Sequence, residues 1–424
     1  NEDILGYLVG AEDSSSLLDI LGNTVKSYPL FKEEFNQARI TKMSQELSNS
    51  WPDFNQTNFL TTATHNLEQL EMKARSNQIV DALTRCLPDD FAAAVTVLIN
   101  ALAVINPVHQ DKNGATDEAT SAGWNINQDN PHGLYGWLVM PCADYIAMHG
   151  NTVDNFALSM HALHAMTQRF TAEFAIRPFI EAQPTSAYAQ LLQWTKDPCQ
   201  HVRRLASEGS RPRLPWGMRL NNVIIDPAPS ITLLTALKDD PSAYVRLSVA
   251  NHLNDIAKDH PQLITVIAKN WLNELTPAHS PISIKHRHRL VKHACRTLIK
   301  QGEPKTLALF GFVPAHVEAT LIVVQHSIQL GDTFEFTLSI TNTLDHEQSL
   351  LVDYVIWHQK SNGSLSPKVF KWKQLNLAKN SNIMLSKTHS FKAVTTRVYY
   401  PGEQRVSIQI NGEEYASHTF HILK

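Results

Sequence analysis

The chain has 424 residues, which is enough for roughly two or three domains. Its composition, 43% hydrophobic and 18% charged with 16 glycines and 21 prolines, excludes disordered, collagen-like and low-complexity classes. No apolar run approaches the length of a membrane span, and the acidic start Asn1-Glu2-Asp3 lacks the pattern of a signal peptide. Four scattered cysteines without a CxxC pair favour buried free thiols in a reducing compartment. We therefore predict a globular, cytoplasmic protein without a membrane span.

The net charge of -3 conceals an uneven distribution along the chain. Residues 1–159 carry 8 Lys and Arg against 20 Asp and Glu, whereas residues 160–300 carry 18 against 10. A basic central third favours a polyanionic partner such as nucleic acid. The alternative is that basic helices face acidic ones inside the fold.

Residues 1 to about 310 have the pattern of short helices, with apolar residues at spacings of three and four. One segment repeats after 43 residues, because Asp197-Pro198 and Val202-Arg203 return as Asp240-Pro241 and Val245-Arg246. This period is typical of a two-helix HEAT unit, with Asp-Pro in the turn and Val-Arg at the start of the second helix. A further shift of the same length reaches Arg289.

The repeated arginines predict a ladder, because stacked repeats place equivalent residues in a row. A row made of Arg203, Arg246 and Arg289 suits a phosphate backbone. The alternative is an internal ladder in which each arginine pairs with a carboxylate of the protein.

After residue 315 the apolar period changes from helical to alternating. Residues 333–340 and 405–410 alternate apolar and polar side chains, and Asn411-Gly412 follows the second segment as a hairpin signal. Several short strands in this segment, which contains no cysteine, predict an immunoglobulin-like β-sandwich. We therefore predict a mostly α protein, in which a HEAT-like α-solenoid over residues 1–312 precedes an all-β sandwich over residues 316–424.

The richest chemical stretch is residues 203–217, which contains four arginines, one carboxylate and one tryptophan. Arg204 and Glu208 are spaced to share one helix face, and Gly209 ends that helix. A surface salt bridge explains this pair, but it does not explain Arg211 and Arg213 beside Trp216 on a proline-stiffened loop. Burial in the core is the alternative for Trp216.

A second carboxylate, Glu173, lies upstream, and Arg177 follows it by four residues. This spacing predicts a helical pair in which the guanidinium keeps the carboxylate ionised. An ionised carboxylate in a basic groove can stabilise a cation or position a water molecule. Glu173 and Glu208 are thus candidate catalytic residues if neighbouring repeats bring them together.

No motif for a metal, nucleotide or acyl-transfer site is present. The pair His286-x-His288 with His293 lacks a cysteine or carboxylate at ligand spacing, so we predict no metal site. The sequence contains no Walker loop, GxGxxG, GxSxG or HExxH motif. We therefore predict no cofactor.

Residues 169–179, 203–217 and 248–256 resemble the AlkC family of bacterial DNA alkylation-repair glycosylases, including its subgroup with a C-terminal immunoglobulin-like domain. The resemblance implies hydrolysis of the N-glycosidic bond of cationic 3-methyladenine and 3-methylcytosine in duplex DNA, without deep base flipping. The implied partner is duplex DNA that contains alkylated bases, bound by a monomer.

The resemblance also implies roles for individual residues. Glu173 and Glu208 would be the active-site carboxylates, with Trp216 and Arg204 flanking the lesion. Asn251 is a further candidate for contact with the lesion or DNA. The related AlkD family places a tryptophan near this position, so lesion contact differs here. The remaining candidates for DNA binding are arginines: Arg203, Arg211 and Arg246 on the backbone, and Arg177, Arg213 and Arg289.

The sequence leaves two other functions open. A HEAT protein can bind DNA without catalysis, and solenoid surfaces also serve as protein–protein scaffolds. In the glycosylase hypothesis the sandwich contacts the far side of the duplex through basic side chains, Lys368, Lys371, Lys373 and Arg397.

Overall fold

The computed structural model describes residues 31–105, 132–393 and 397–423, so the acidic N-terminus lies outside the described residues. The chain divides into two compact units, residues 1–259 with 278–290 and residues 260–277 with 291–424. These limits differ from the predicted division between residues 312 and 316, which stays a prediction about domains. In the described ranges, no helix combines the length and the apolar character that crossing a membrane requires.

The first unit is helical, as predicted. Asparagine and aspartate side chains begin several helices; Asn36, for example, accepts a hydrogen bond from the Arg39 amide at 3.0 Å. Buried apolar residues on one face of each helix, such as Ile40, Met43 and Leu47, form its core. Its helices are α1 Gln37–Ser50, α2 Gln56–Ala63, α3 Met72–Cys86, α4 Phe91–Asn100, α5 Val139–His149, α6 Phe156–Thr167, α7 Arg177–Ala182, α8 Pro184–Trp194, α9 Gln200–Glu208, α10 Asn221–Ile225, α11 Ala228–Leu237 and α12 Ala243–Ala257.

The predicted repeat corresponds to two helix pairs, α8–α9 and α11–α12, and α9 packs against α12. In both turns the aspartate caps the backbone in the same way. Asp197 Oδ1 accepts from the Cys199 amide and Asp240 Oδ1 from the Ser242 amide, each at 2.8 Å. The third position does not follow the pattern, because Arg289 lies in the second half of α14 (Pro281–Ala294) rather than in a first turn.

The second unit contains α13 (Pro261–Asn273), α15 (Arg296–Lys300), α16 (Pro304–Leu309) and a two-sheet β-sandwich. One sheet has the order β1-β3-β6 and the other the order β2-β8-β7-β4-β5. The strands are β1 Val317–Val323, β2 Ser327–Gln329, β3 Thr333–Asn342, β4 Gln348–Gln359, β5 Leu365–Leu377, β6 Asn382–Ser390, β7 Gly402–Ile410 and β8 Glu413–Leu423. The prediction of a helical region followed by a sandwich is confirmed.

The Asn-Gly signal forms the predicted hairpin between β7 and β8. Asn411 and Gly412 both have positive φ, at 50° and 87°, as a tight hairpin turn requires. Gly412 also packs against Gly302. A Cβ on Gly302 would lie 2.6 Å from the carbonyl oxygen of Gly412. The buried faces of the two sheets form a common apolar core that includes Phe334, Phe336 and Phe420. All four cysteines are buried and free, as predicted.

Candidate active site

Glu173 lies in the turn before α7 and not on a helix. The turn covers residues 173–176, and α7 begins only at Arg177. The predicted helical pair between Glu173 and Arg177 is therefore wrong. Glu173 is 4% exposed, and its Oε2 accepts from Thr171 Oγ1 at 2.8 Å and from Arg204 Nη1 at 2.9 Å. Its Oε1 accepts no hydrogen bond from any residue that the structure describes.

Arg204, on α9, joins the two candidate carboxylates. Its Nη1 bonds to Glu173, and its Nη2 lies 3.5 Å from Glu208 Oε1. Its guanidinium carbon also lies 4.7 Å from the ring centroid of Tyr244, within cation–π range. The predicted pairing of Arg204 with Glu208 is confirmed. The hypothesis that the two carboxylates converge in space is also confirmed, since one guanidinium contacts both.

Glu208 is the last residue of α9 and is 2% exposed. Its Oε1 accepts from Arg211 Nη1 at 2.7 Å, and its Oε2 accepts from Ser248 Oγ at 2.6 Å. The helix ends at Gly209 as predicted, but with an ordinary φ of -65°. A glycine is needed there because a Cβ would lie 2.4 Å from Ile176 Cγ2. With donors on both oxygens, the Glu208 carboxylate is held as a fixed anion.

Opposite charges alternate through the site. Arg211 bonds to Glu208 on one side and to Asp255 Oδ2, at 2.8 Å, on the other. Lys258 Nζ then lies 3.1 Å from Asp255 Oδ1. Removal of one member would leave a buried charge without its partner, which is more costly than removal of a whole pair. The series runs in the order Glu173, Arg204, Glu208, Arg211, Asp255 and Lys258.

One face of α12 supports this series. Tyr244, Ser248 and Asp255 contact Arg204, Glu208 and Arg211, respectively. Spacings of four and seven residues place these three side chains on the same face. Asn251 lies on this face between Ser248 and Asp255 and is half-buried.

Trp216 is displayed on a loop that connects α9 to α10. It is 58% exposed, so the alternative of a core tryptophan is wrong. Its φ is +62°, a left-handed conformation that is uncommon for a bulky residue. The side chain of Arg177 holds this loop through hydrogen bonds to two of its carbonyls. Its Nη1 donates to the Gly209 carbonyl at 2.9 Å, and its Nε donates to the Met218 carbonyl at 2.8 Å, as does its Nη2.

The arginine ladder is internal for Arg203 and Arg246. Arg203 pairs with Asp240 through Nε and Nη2, at 2.6 and 3.0 Å, and donates Nη1 to the Asp197 and Pro198 carbonyls. Arg246 Nη1 donates to the corresponding carbonyls of Asp240 and Pro241. Arg203 thus fits the alternative of an arginine paired with a carboxylate, whereas these bonds of Arg246 go to carbonyls. Both arginines brace the turns of their own repeats, and a contact with phosphate stays a prediction.

The other arginines expected on DNA differ in environment. Arg211 is buried between two carboxylates, so its expected role on the DNA backbone is replaced by a role inside the site. Arg177 is also buried. Arg213 pairs with Asp259 through two bonds of 2.8 and 3.0 Å at the surface. Arg289 is exposed on α14.

Two histidines, His252 and His201, and Tyr244 lie beside the charged series. Burial, reinforced by the neighbouring arginines, lowers the pKa of His252 and of His201 to about 3. His252 is therefore neutral at pH 7, and its Nδ1 lies 2.9 Å from the Ser207 carbonyl. Burial raises the pKa of Tyr244 and lowers that of Arg177 to about 10. The site holds its positive charge on arginine and lysine and not on imidazole.

Sequence reasoning missed the residues that orient the carboxylates, Thr171, Tyr244, Ser248 and Asp255. A signal was present for three of them, because Tyr244, Ser248 and Asp255 share one face of a helix in the second repeat. Thr171 gave no signal, since a turn and not a helix places it beside Glu173.

Among the described residues there is no group of three or more His, Cys, Asp or Glu side chains able to hold a metal ion.

Comparisons with known proteins cover both parts of the chain. A family model for the C-terminal Ig-like domain of the uncharacterised protein YhaZ matches residues 318–424. YhaZ of Bacillus subtilis is 35% identical over 396 residues, which cover 92% of this chain and 99% of YhaZ. Pseudomonas fluorescens AlkC, an alkylpurine DNA glycosylase solved on DNA with an abasic-site analogue, is 33% identical. That structure superposes with a TM-score of 0.78 and covers 93% of this chain and 100% of its own.

Proposed function

Because the chain belongs to the AlkC family, together with YhaZ, we propose that it is a DNA glycosylase. Its proposed substrates are cationic alkylated bases, 3-methyladenine and 3-methylcytosine, in duplex DNA. The observation that carries the proposal is the junction at Arg204, where one guanidinium contacts two buried carboxylates, Glu173 and Glu208. The site is preorganised, since each of its charged groups already has a partner.

The chemistry follows from the charge on the substrate. An N3-alkylated base is cationic, so it leaves as a neutral molecule with both electrons of the C1′–N bond and needs no proton from the protein. Positive charge then develops on the deoxyribose. Fixed anions near the sugar stabilise this charge because their dipoles and charges need not reorganise during the reaction.

The two carboxylates divide the work in this proposal. Glu208 is saturated by Arg204, Arg211 and Ser248, so it acts as a fixed charge and holds Arg204. Glu173 has one oxygen that accepts no hydrogen bond from a described residue, and this oxygen can orient the attacking water. Water supplies the oxygen of the new C1′–O bond, and its proton passes to Glu173 or to solvent.

Single-turnover release of 3-methyladenine and 3-methylcytosine from defined duplexes tests the proposal. We expect release by the wild type and a loss of roughly 10²–10³ in rate for Glu173→Gln and for Glu208→Gln, with DNA affinity retained. Asp240→Asn is the matched control, because it breaks another buried pair of an arginine and a carboxylate, Arg203 with Asp240. If the wild type binds duplex DNA and releases no base, the protein is a DNA-binding relative without catalysis, and if it binds no DNA, a scaffold function replaces the proposal.

We further propose that the sandwich adds cationic contacts to DNA. Lys368, Lys371 and Lys373 are exposed on β5, which is the edge strand of its sheet. If Lys373 contacts a phosphate, Lys373→Gln lowers the slope of log affinity against log salt concentration by about 0.9. If the slope is unchanged when each of the three lysines is replaced in turn, the proposed contact between the sandwich and DNA is refuted.

A further inference from the structure

The loop over residues 209–218 is tied at both ends to one buried side chain. Arg177 has no exposed surface, and it donates to the carbonyls of Gly209 and Met218, which begin and end the loop. Both glycines of the loop lie close to neighbouring side chains. A Cβ on Gly217 would lie 3.2 Å from Arg177 Nε, and one on Gly209 would lie 2.4 Å from Ile176 Cγ2.

Further contacts hold the middle of the loop. The Leu220 amide bonds to the Pro212 carbonyl at 3.2 Å, and the Gly217 amide bonds to the Leu214 carbonyl at 3.1 Å. The side chain of Leu214, which belongs to the loop, is buried. Arg213 is paired with Asp259. The loop therefore has little freedom to rearrange.

Trp216 is the largest of the side chains that this loop leaves exposed. Its indole is mostly exposed, and its backbone has a left-handed conformation that is strained for a bulky residue. Such strain persists only where the surroundings over-determine the backbone, and it is concentrated at functional sites. An exposed flat ring on a rigid support suits stacking on a nucleobase, since every base has a π-face.

We infer that Arg177 is a positioning residue that presets Trp216 as an aromatic wedge against the bases of the duplex. This inference rests on the proposed function. Arg177 itself does not touch DNA, because it is buried and its donors are directed to loop carbonyls. Its effect on the reaction passes through Trp216, whose exposed ring stacks against the bases beside the lesion.

A double-mutant cycle tests this route. Arg177→Met removes the donors at similar length, and we expect base release to fall about tenfold in the wild-type background and less than about twofold in the Trp216→Ala background. Arg75→Met is the matched control, because Arg75 is equally buried and donates to the carbonyls of Leu70, Lys32 and Phe35. It should lower the unfolding temperature as Arg177→Met does, with base release within about twofold of wild type.

The same cycle read as affinity for a duplex with an abasic-site analogue separates this inference from the proposed function. If the effects of Arg177→Met and Trp216→Ala on this affinity are non-additive but the wild type releases no base, the inference about Trp216 stands and the proposed glycosylase activity is refuted. Equal losses from Arg177→Met in both backgrounds, in rate and in affinity, would overturn the inference. If Arg177→Met does not fold, Arg177→Lys, which keeps the charge but not the paired donors, replaces it in the cycle with Arg75→Lys as its control.

Discussion

At the residue scale, the candidate site depends on Arg204. Its planar guanidinium contacts two carboxylates and also lies over the ring of Tyr244, so it makes three contacts in different directions. A lysine offers one point charge and cannot reproduce that geometry. The contacts of Arg204 thus fix the separation of Glu173 and Glu208.

We expect Arg204→Lys to slow single-turnover base release by about 10²-fold, because one of the two carboxylates loses its partner and moves. Arg203→Lys serves as the control, since Arg203 also makes a two-bond pair with a carboxylate, Asp240, outside the charged series. A rate for Arg204→Lys within twofold of that for Arg203→Lys would contradict the bridging role.

Ser248 supplies the second residue prediction. Its hydroxyl donates to Glu208 Oε2 at 2.6 Å and lies 2.9 Å from Ser207 Oγ. Ser248→Ala removes this hydrogen bond from a buried carboxylate, at a cost of about 1–3 kcal/mol. We expect slower base release, and we expect Ser248→Thr, which keeps the hydroxyl, to recover most of the rate. Equal rates for the alanine and threonine variants would show that the hydroxyl has no role.

Part of this site could be predicted from the sequence because part of it is local. Arg204 and Glu208 are four residues apart on a real helix, so spacing alone identified their contact. The same rule failed for Glu173 and Arg177, because their segment is a turn until Arg177. The contact of Arg211 with Asp255, which joins residues 44 apart, depends on the packing of α9 against α12 and has no local signal.

At the element scale, the repeat turns explain the arginine ladder. Arg203 donates to its own turn and to Asp240 of the next repeat, so it connects successive helix pairs. The 43-residue period predicted both turns and both second helices. It could not tell a brace from a phosphate contact, because both require an arginine at the same position.

Arg203→Met separates these two roles. We expect a fall in the free energy of unfolding of about 3 kcal/mol, since Asp240 becomes a buried carboxylate without its partner. The slope of log DNA affinity against log salt concentration should stay within error of wild type. A decrease of about 0.9 in that slope, with little change in stability, would restore the phosphate contact.

At the scale of the whole molecule, the charge asymmetry has an internal explanation in the described residues. Several arginines of the basic central third are paired with carboxylates of the protein: Arg203, Arg204, Arg211, Arg213 and Arg287. The sequence alternative of helices that face each other through opposite charges is therefore the better account of these residues. Net charge per segment overstates the cationic surface wherever carboxylates lie in neighbouring helices.

The sandwich contains a pair of buried histidines that should make stability fall in acid. Burial, with Arg397 and His389 next in importance, lowers the pKa of His358 to about 3, and burial lowers that of His389 to about 4. Both values lie below the ordinary 6.5, so the unfolded chain binds these protons more readily. The stability from neutral imidazoles is complete above pH 6.5 and is lost as the pH falls towards 4 and 3.

His358→Phe tests this account, because both ring nitrogens of His358 are buried without a hydrogen-bond partner and the ring packs edge-on against Phe391. We expect the variant to be more stable than wild type, with a gain that is roughly 1 kcal/mol larger at pH 5 than at pH 7. Thermal unfolding at the two pH values measures the difference, and His421→Phe, at an exposed position of β8, is the control. A gain that does not change with pH would mean that His358 has the same pKa in the folded and the unfolded chain, and this result would refute a pKa lowered by burial.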